Sequence, residues 1–124
     1  MAHFILYVRD QARSREFYRT VLQRVPRLDV PGMTELELSR HAVLGLMPAH
    51  GIGRLLKIEP PANDARELRA ELYLRVPDVK AWHDRALAAG ARELSPPAKR
   101  DWGDEVSYVA DPDDYVLAFA RGAD

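Results

Sequence analysis

Apolar and polar positions along the chain sort into short alternating or continuous apolar runs and two amphipathic stretches. Phe4 to Val8 runs without a breaker and predicts a strand. Asp10 follows, a residue whose carboxylate caps helices. Phe17, Tyr18, Val21 and Leu22 then recur at three- and four-residue spacing, which predicts a helix. Pro26 and Pro31-Gly32 punctuate. Met33 to Leu38 alternates, with Leu36 and Leu38 on one face and Glu35 and Glu37 on the other, a half-buried strand. Ala42 to Met47 is a further apolar run. Pro48 to Gly53 reads as a loop, and Leu55 to Ile58 as a short strand or extended link.

The pattern then repeats. Glu71 to Val76 predicts a strand, and Asp78 a cap for a helix to Ala89 with Val79, Trp82, Ala86 and Leu87 as its stripe. His83 falls off that stripe. Gly90 suits a left-handed helix end. Arg92 to Leu94 predicts a short strand, and Ser95 to Trp102, with Pro96-Pro97, a loop. Glu105 to Ala110 and Tyr115 to Ala120 are strands joined by the Asp111-Pro-Asp-Asp114 turn. Val8 and Asp10 recur as Val76 and Asp78, and Val43-Leu-Gly-Leu-Met47 as Val116-Leu-Ala-Phe-Ala120. Each half reads strand–helix–strand–strand–strand. The expected division is residues 1–60, a proline-led linker at 60–66, and 67–124, all within one domain.

Composition narrows the function classes. A chain of 124 residues builds one substantial core. The formal charge is −1, without the clustered basic excess a nucleic-acid partner requires. There is no cysteine, which excludes disulfides, thiol catalysis and zinc–thiolate centres. No apolar run reaches membrane-spanning length. Neither a leader pattern nor a membrane segment is read, so the expected location is cytoplasmic. Arginine far outnumbers lysine, which fits a GC-rich bacterial genome. No phosphate loop, Ser–His–Asp spacing or HExxH motif occurs.

His3 and Val8-Arg-Asp10, Ser14-x-x-Phe17-Tyr18-x-x-Val21-Leu22, Val76-Pro-Asp78, Trp102-Gly103 and Asp111-Pro-Asp113 together resemble the vicinal oxygen chelate superfamily. This grouping contains glyoxalase I, extradiol dioxygenases, and fosfomycin- and bleomycin-resistance proteins. The likeness spans nearly the whole chain. Gln23 departs where glycine usually follows Val-Leu, and Asp114 where the turn usually has glycine.

The resemblance implies an α+β fold: two βαβββ modules whose mixed sheets curl around a cleft, helices outside. It also implies a homodimer. Alternation would then turn His3, Ile5, Tyr7, Glu71, Tyr73 and Arg75 toward the cleft, and Phe4, Leu6 and Val8 toward the helix. The superfamily's enzymes hold a divalent metal at four equivalent positions, which fall here on His3, Gly45, Glu71 and Ala118. Two of these carry no donor, so no cofactor is expected. Glu35 or Glu37 could restore a third ligand under a different register. His3 and Glu71 are candidate catalytic residues, or a structural ion pair.

Tyr7, Tyr73, Arg75, Met47 and Trp102 are the candidate ligand-binding residues, suited to a small aromatic or anionic molecule. The leading expectation is a metal-free, small-molecule-binding protein of the bleomycin-resistance type. The alternatives are a metal-dependent lyase or dioxygenase, a metal-free enzyme with His3 or Glu71 as general base, and a dimeric module without ligand.

Overall fold

The computed structural model describes residues 1–59 and 69–122. The linker expected at 60–66 lies outside them. The chain divides into two compact units, the first up to residue 65 and the second from residue 66.

In the first unit, β1 (Ala2–Val8) leads into α1 (Gln11–Leu22). Asp10 caps α1 by accepting from the Arg13 amide at 3.0 Å, satisfying one of the exposed donors of the first turn. The helix ends at Gln23, which takes the left-handed conformation (φ 53°) that glycine would adopt without strain. Then come β2 (Leu28–Val30), β3 (Met33–Ser39) and β4 (Ala42–Pro48), in the sheet order β1-β4-β3-β2. The first and last strands are parallel, with Ile5 opposite Gly45, and the rest antiparallel. Ser14, Phe17, Tyr18, Val21 and Leu22 bury one face of α1 against β3 and β4. Phe17 and Tyr18 meet edge-on at 5.0 Å. Leu36, Leu44 and Leu46 complete this core, each worth about 1.5–3 kcal/mol when fully buried.

The strand after α1 is Leu28–Val30, which sequence reading passed over. It is fastened to the start of α1 by Gln11. Its amide nitrogen donates to Val30 O at 2.8 Å and Thr34 Oγ1 at 2.9 Å, and its oxygen accepts from the Gly32 amide at 3.0 Å. Phe4 is also corrected. It shares the helix-facing side of β1 with Leu6 and Val8, but burial falls from Val8 (0 % exposed) to Phe4 (59 %), because α1 packs on β3 and β4 and does not reach the start of β1.

The expected loop and extended link after Pro48 are instead α2 (Ala49–Leu56). Gly51 and Gly53 mask the helical signal, since glycine is the poorest helix former after proline. Leu55 and Leu56 remain largely exposed.

In the second unit, β5 (Glu71–Arg75) leads into α3 (Val79–Ala88), capped by Asp78, which accepts from the Ala81 amide at 3.1 Å. Gly90 is left-handed (φ 105°) just past its end. The buried stripe differs from expectation. His83 is 2 % exposed, while Trp82 is only half-buried and packs on Phe119 at 5.8 Å. His83 pays part of its burial cost through Nε2, 2.8 Å from Glu93 Oε1.

The sheet order is β5-β8-β7-β6, from β6 (Arg92–Lys99), β7 (Glu105–Ala110) and β8 (Val116–Arg121). It reproduces the first sheet, with Tyr73 opposite Ala118 where the first has Ile5 opposite Gly45. The expected loop at Ser95–Trp102 is mostly strand. Pro96 and Pro97 are tolerated because β6 is the outermost strand and its register slips between Ser95 and Ala98, where ladder donors are not required. In the β7–β8 turn, Asp114 adopts φ 65° and Asp111 Oδ1 accepts from the amides of Asp113 and Tyr115.

Candidate functional site

Each sheet has one face against a helix and one without. Cross-strand partners share a face, which sorts the candidate residues. On the first sheet, Val43 lies between His3 and Glu37, Gly45 lies between Ile5 and Glu35, and Tyr7 lies opposite Met47. His3 Nδ1 stands 3.3 Å from Glu35 Oε2, and Arg27 Nε 3.3 Å from Glu35 Oε1. Glu35 is therefore a carboxylate that His3 meets within the first unit. The reason is local: alternation brings Glu35 to the same face, one row away. Arg27 already balances its charge.

Gly45 has no spare room. A Cβ built there would lie 3.0 Å from Ile5 Cγ1 and 3.3 Å from Met33 Sδ. A larger residue at that position requires both neighbours to move.

On the second sheet, Glu71 lies opposite Val116, Ala118 lies between Tyr73 and Tyr108, and Ala120 lies between Arg75 and Val106. Ala118, Ala120 and Val106 are fully buried, with Tyr108 packed on them. Three of the candidate residues converge here. Trp102 Nε1 donates to the Tyr73 hydroxyl at 3.1 Å, and that hydroxyl donates to Asp104 Oδ2 at 2.7 Å. Arg75 Nη2 lies 3.2 Å from the same oxygen. Asp104 was missed in the sequence. Its one signal was its place in Trp102-Gly103-Asp104, a carboxylate on a tight turn.

The turn itself is fixed. The Arg100 amide donates to Asp104 O at 2.8 Å, Gly103 is left-handed (φ 98°), and the Arg100 side chain donates to Val106 O and Ser95 Oγ. Trp102 is thus a held wall even though its ring is largely exposed. Burial and the Asp104 carboxylate push the Tyr73 hydroxyl above its ordinary value. The hydrogen bond from Tyr73, and then Arg75, hold the Asp104 carboxyl below its own.

Of the four positions equivalent to metal ligands, His3 and Glu71 carry donors, while Gly45 and Ala118 carry none. Among the described residues no three His, Cys, Asp or Glu side chains converge as a metal site would require. A separate depression of about 570 Å³ beside the start of α1 is lined by Arg9, Arg15, Asp10 and Asp29, so its charges are matched.

Two βαβββ units with parallel outer–inner strand pairs define a paired-module α+β protein. The chain belongs to the Glyoxalase/Bleomycin resistance protein/Dioxygenase superfamily, whose model matches residues 1–119. Among solved structures it is similar to a glyoxalase-related enzyme from Fulvimarina pelagi, at TM-score 0.86 and 22 % identity, covering 98 % of this chain and 87 % of that one. A glyoxalase/bleomycin resistance protein/dioxygenase family enzyme from Burkholderia phytofirmans PsJN gives TM-score 0.85 and 17 % identity, with 98 % and 97 % covered. A protein from Agrobacterium tumefaciens known from a solution NMR structure gives TM-score 0.76 and 29 % identity, with 98 % and 96 % covered. No curated protein matches. Among the described residues no helix is long and apolar enough to cross a membrane.

Proposed function

We propose that this protein binds a small planar organic molecule without a metal, on the helix-free sheet face that carries Tyr73, Arg75 and Trp102 in the second unit. The observation that carries the metal-free part is the state of Gly45 and Ala118. Neither offers a donor atom, and the space a ligand side chain would enter at Gly45 is taken by Ile5 and Met33. The four-position site of the superfamily's enzymes does not fit these residues, since a catalytic ion needs about three protein donors. The Tyr73–Asp104–Arg75–Trp102 cluster supports binding: aromatic faces and a cation held in place before any ligand arrives.

Two measurements test this. Metal analysis of protein purified without chelator should find less than one tightly bound divalent ion per chain. A stoichiometric ion overturns the metal-free reading. Tryptophan emission should respond to members of a diverse library of planar compounds. No response to any of them overturns the binding reading.

A second reading, metal-free catalysis, is favoured by one observation: Glu35 holds His3 Nδ1, as a carboxylate orients a general base. It requires a product formed in the presence of chelator and lost in His3→Ala. We further infer a cytoplasmic bacterial homodimer. Superfamily kinship and the exposed Phe4, Leu55 and Leu56 support association, and sedimentation of the purified chain tests it.

A further inference from the structure

The cluster on the second sheet leaves two atoms, both open to solvent, without a protein partner among the described residues. Asp104 Oδ2 is doubly engaged, by Tyr73 at 2.7 Å and Arg75 at 3.2 Å, but Oδ1 accepts no hydrogen bond among the described residues. Arg75 spends Nη2 on Asp104 and makes no hydrogen bond through Nη1. Both atoms border one bare point. A Cβ placed on Gly122 would lie 3.8 Å from Arg75 Nη1 and 3.8 Å from Asp104 Oδ1. A donor and an acceptor therefore flank a space that a glycine keeps clear, and the fixed rings of Tyr73 and Trp102 belong to the same cluster.

Within the Arg75–Asp104 pair the charges match, which changes what this edge can recognise, while Lys99, Glu105 and Arg121 line the hollow around Gly122. A lone arginine beside an aromatic face selects a carboxylate. Here an incoming carboxylate meets the attraction of Arg75 and the repulsion of Asp104 Oδ1 together. A neutral group with a carbonyl next to an N–H meets neither penalty. Its oxygen accepts from Arg75, and its N–H donates to Asp104 Oδ1.

Building on the ligand-binding reading, the geometry points to a ligand class: neutral planar heterocycles with an adjacent acceptor and donor, the edge of a lactam or a nucleobase-like ring. A hydrogen bond to a charged partner discriminates between ligands, because one that lacks the donor displaces water from Asp104 Oδ1 without replacing its hydrogen bond.

The test uses the full chain carrying Trp82→Phe, which leaves Trp102 as the reporter of the two tryptophans. Three probes share one ring system: 2-quinolone, N-methyl-2-quinolone, which lacks the donor, and quinoline-2-carboxylate, which is anionic. Affinity is read by isothermal titration and Trp102 emission. The expected result is 2-quinolone binding at least about tenfold tighter than the other two. Asp104→Asn should then reverse the order of lactam and carboxylate.

A preference for the carboxylate in the unmodified chain overturns the donor–acceptor edge and leaves the broader reading standing. No binding of any probe also overturns the edge, and the compound library then decides the broader reading separately. Should Asp104→Asn fail to fold, Gly122→Val carries the comparison. Loss of 2-quinolone binding with unchanged melting temperature supports the assignment, and full retained affinity overturns it.

Discussion

Ile5 Cγ1 stands 3.0 Å from the place where a Cβ on Gly45 would sit. The absence of a side chain at the third ligand-equivalent position is thus built into the packing of β1 against β4. Gly45→Ala should destabilise the protein by about 1–3 kcal/mol in urea unfolding, through overpacking. The double variant with Ile5→Ala should be less destabilised than the two single losses added together, since the clash is relieved.

Chelation should leave the protein unchanged. With two donorless positions and Arg27 on Glu35, melting temperature in excess EDTA should match that in buffer. Added zinc or nickel should not raise it in the way a ligand specific for the native state would. Differential scanning calorimetry reads both.

The Tyr73–Asp104 hydrogen bond gives stability two pH limits. Asp104 is held below its ordinary value of 3.8 in the fold, so its contribution is present above that pH. It is lost as pH falls through the lowered folded value. Tyr73 is raised above 10.0, so its contribution is present below that pH and lost as pH rises through the raised folded value. Asp104→Asn should flatten the acid limb of a stability–pH curve, and Tyr73→Phe the alkaline limb.

Gln11→Ala should cost about 1–3 kcal/mol, because it removes three hydrogen bonds and strips a partner from the buried Thr34 hydroxyl. Faster amide exchange at Val30 to Thr34 than elsewhere in the first sheet should accompany the loss, since the hairpin of β2 and β3 is what Gln11 fastens.

Asp78→Ala should cost about 1 kcal/mol, the usual worth of a helix cap. Its effect should be read as lost helicity by circular dichroism, with little change in the first unit.

Most of the fold was legible because local chemistry and burial agree. Asp10 and Asp78 cap the helices they precede, the apolar runs become β1, β3, β4, β5, β7 and β8, and Asp114 takes the left-handed turn that its family equivalents leave to glycine. The misses are places where context overrides composition. Two glycines hid α2. Arg92 to Leu94 was read as strand, but prolines hid the rest of β6, whose position at the sheet edge excuses them. His83 looked solvent-facing, yet a carboxylate on the neighbouring strand lets an imidazole go inside.

In the site, Tyr73, Arg75 and Trp102 were singled out by type. What joins them, Asp104, lay in a turn whose geometry no periodicity reports. His3 and Glu71 were matched through the repeat; within the first unit the carboxylate beside His3 comes from β3, because partners across a sheet are set by register and not by sequence symmetry.

Pro96 and Pro97 have a further consequence. A chain whose outermost ribbon lacks two successive amide hydrogens offers a poor template to any unfolded neighbour seeking to add itself there. During synthesis at high concentration, that margin of the second sheet is guarded against fibre growth by the same residues that disguised it as a loop.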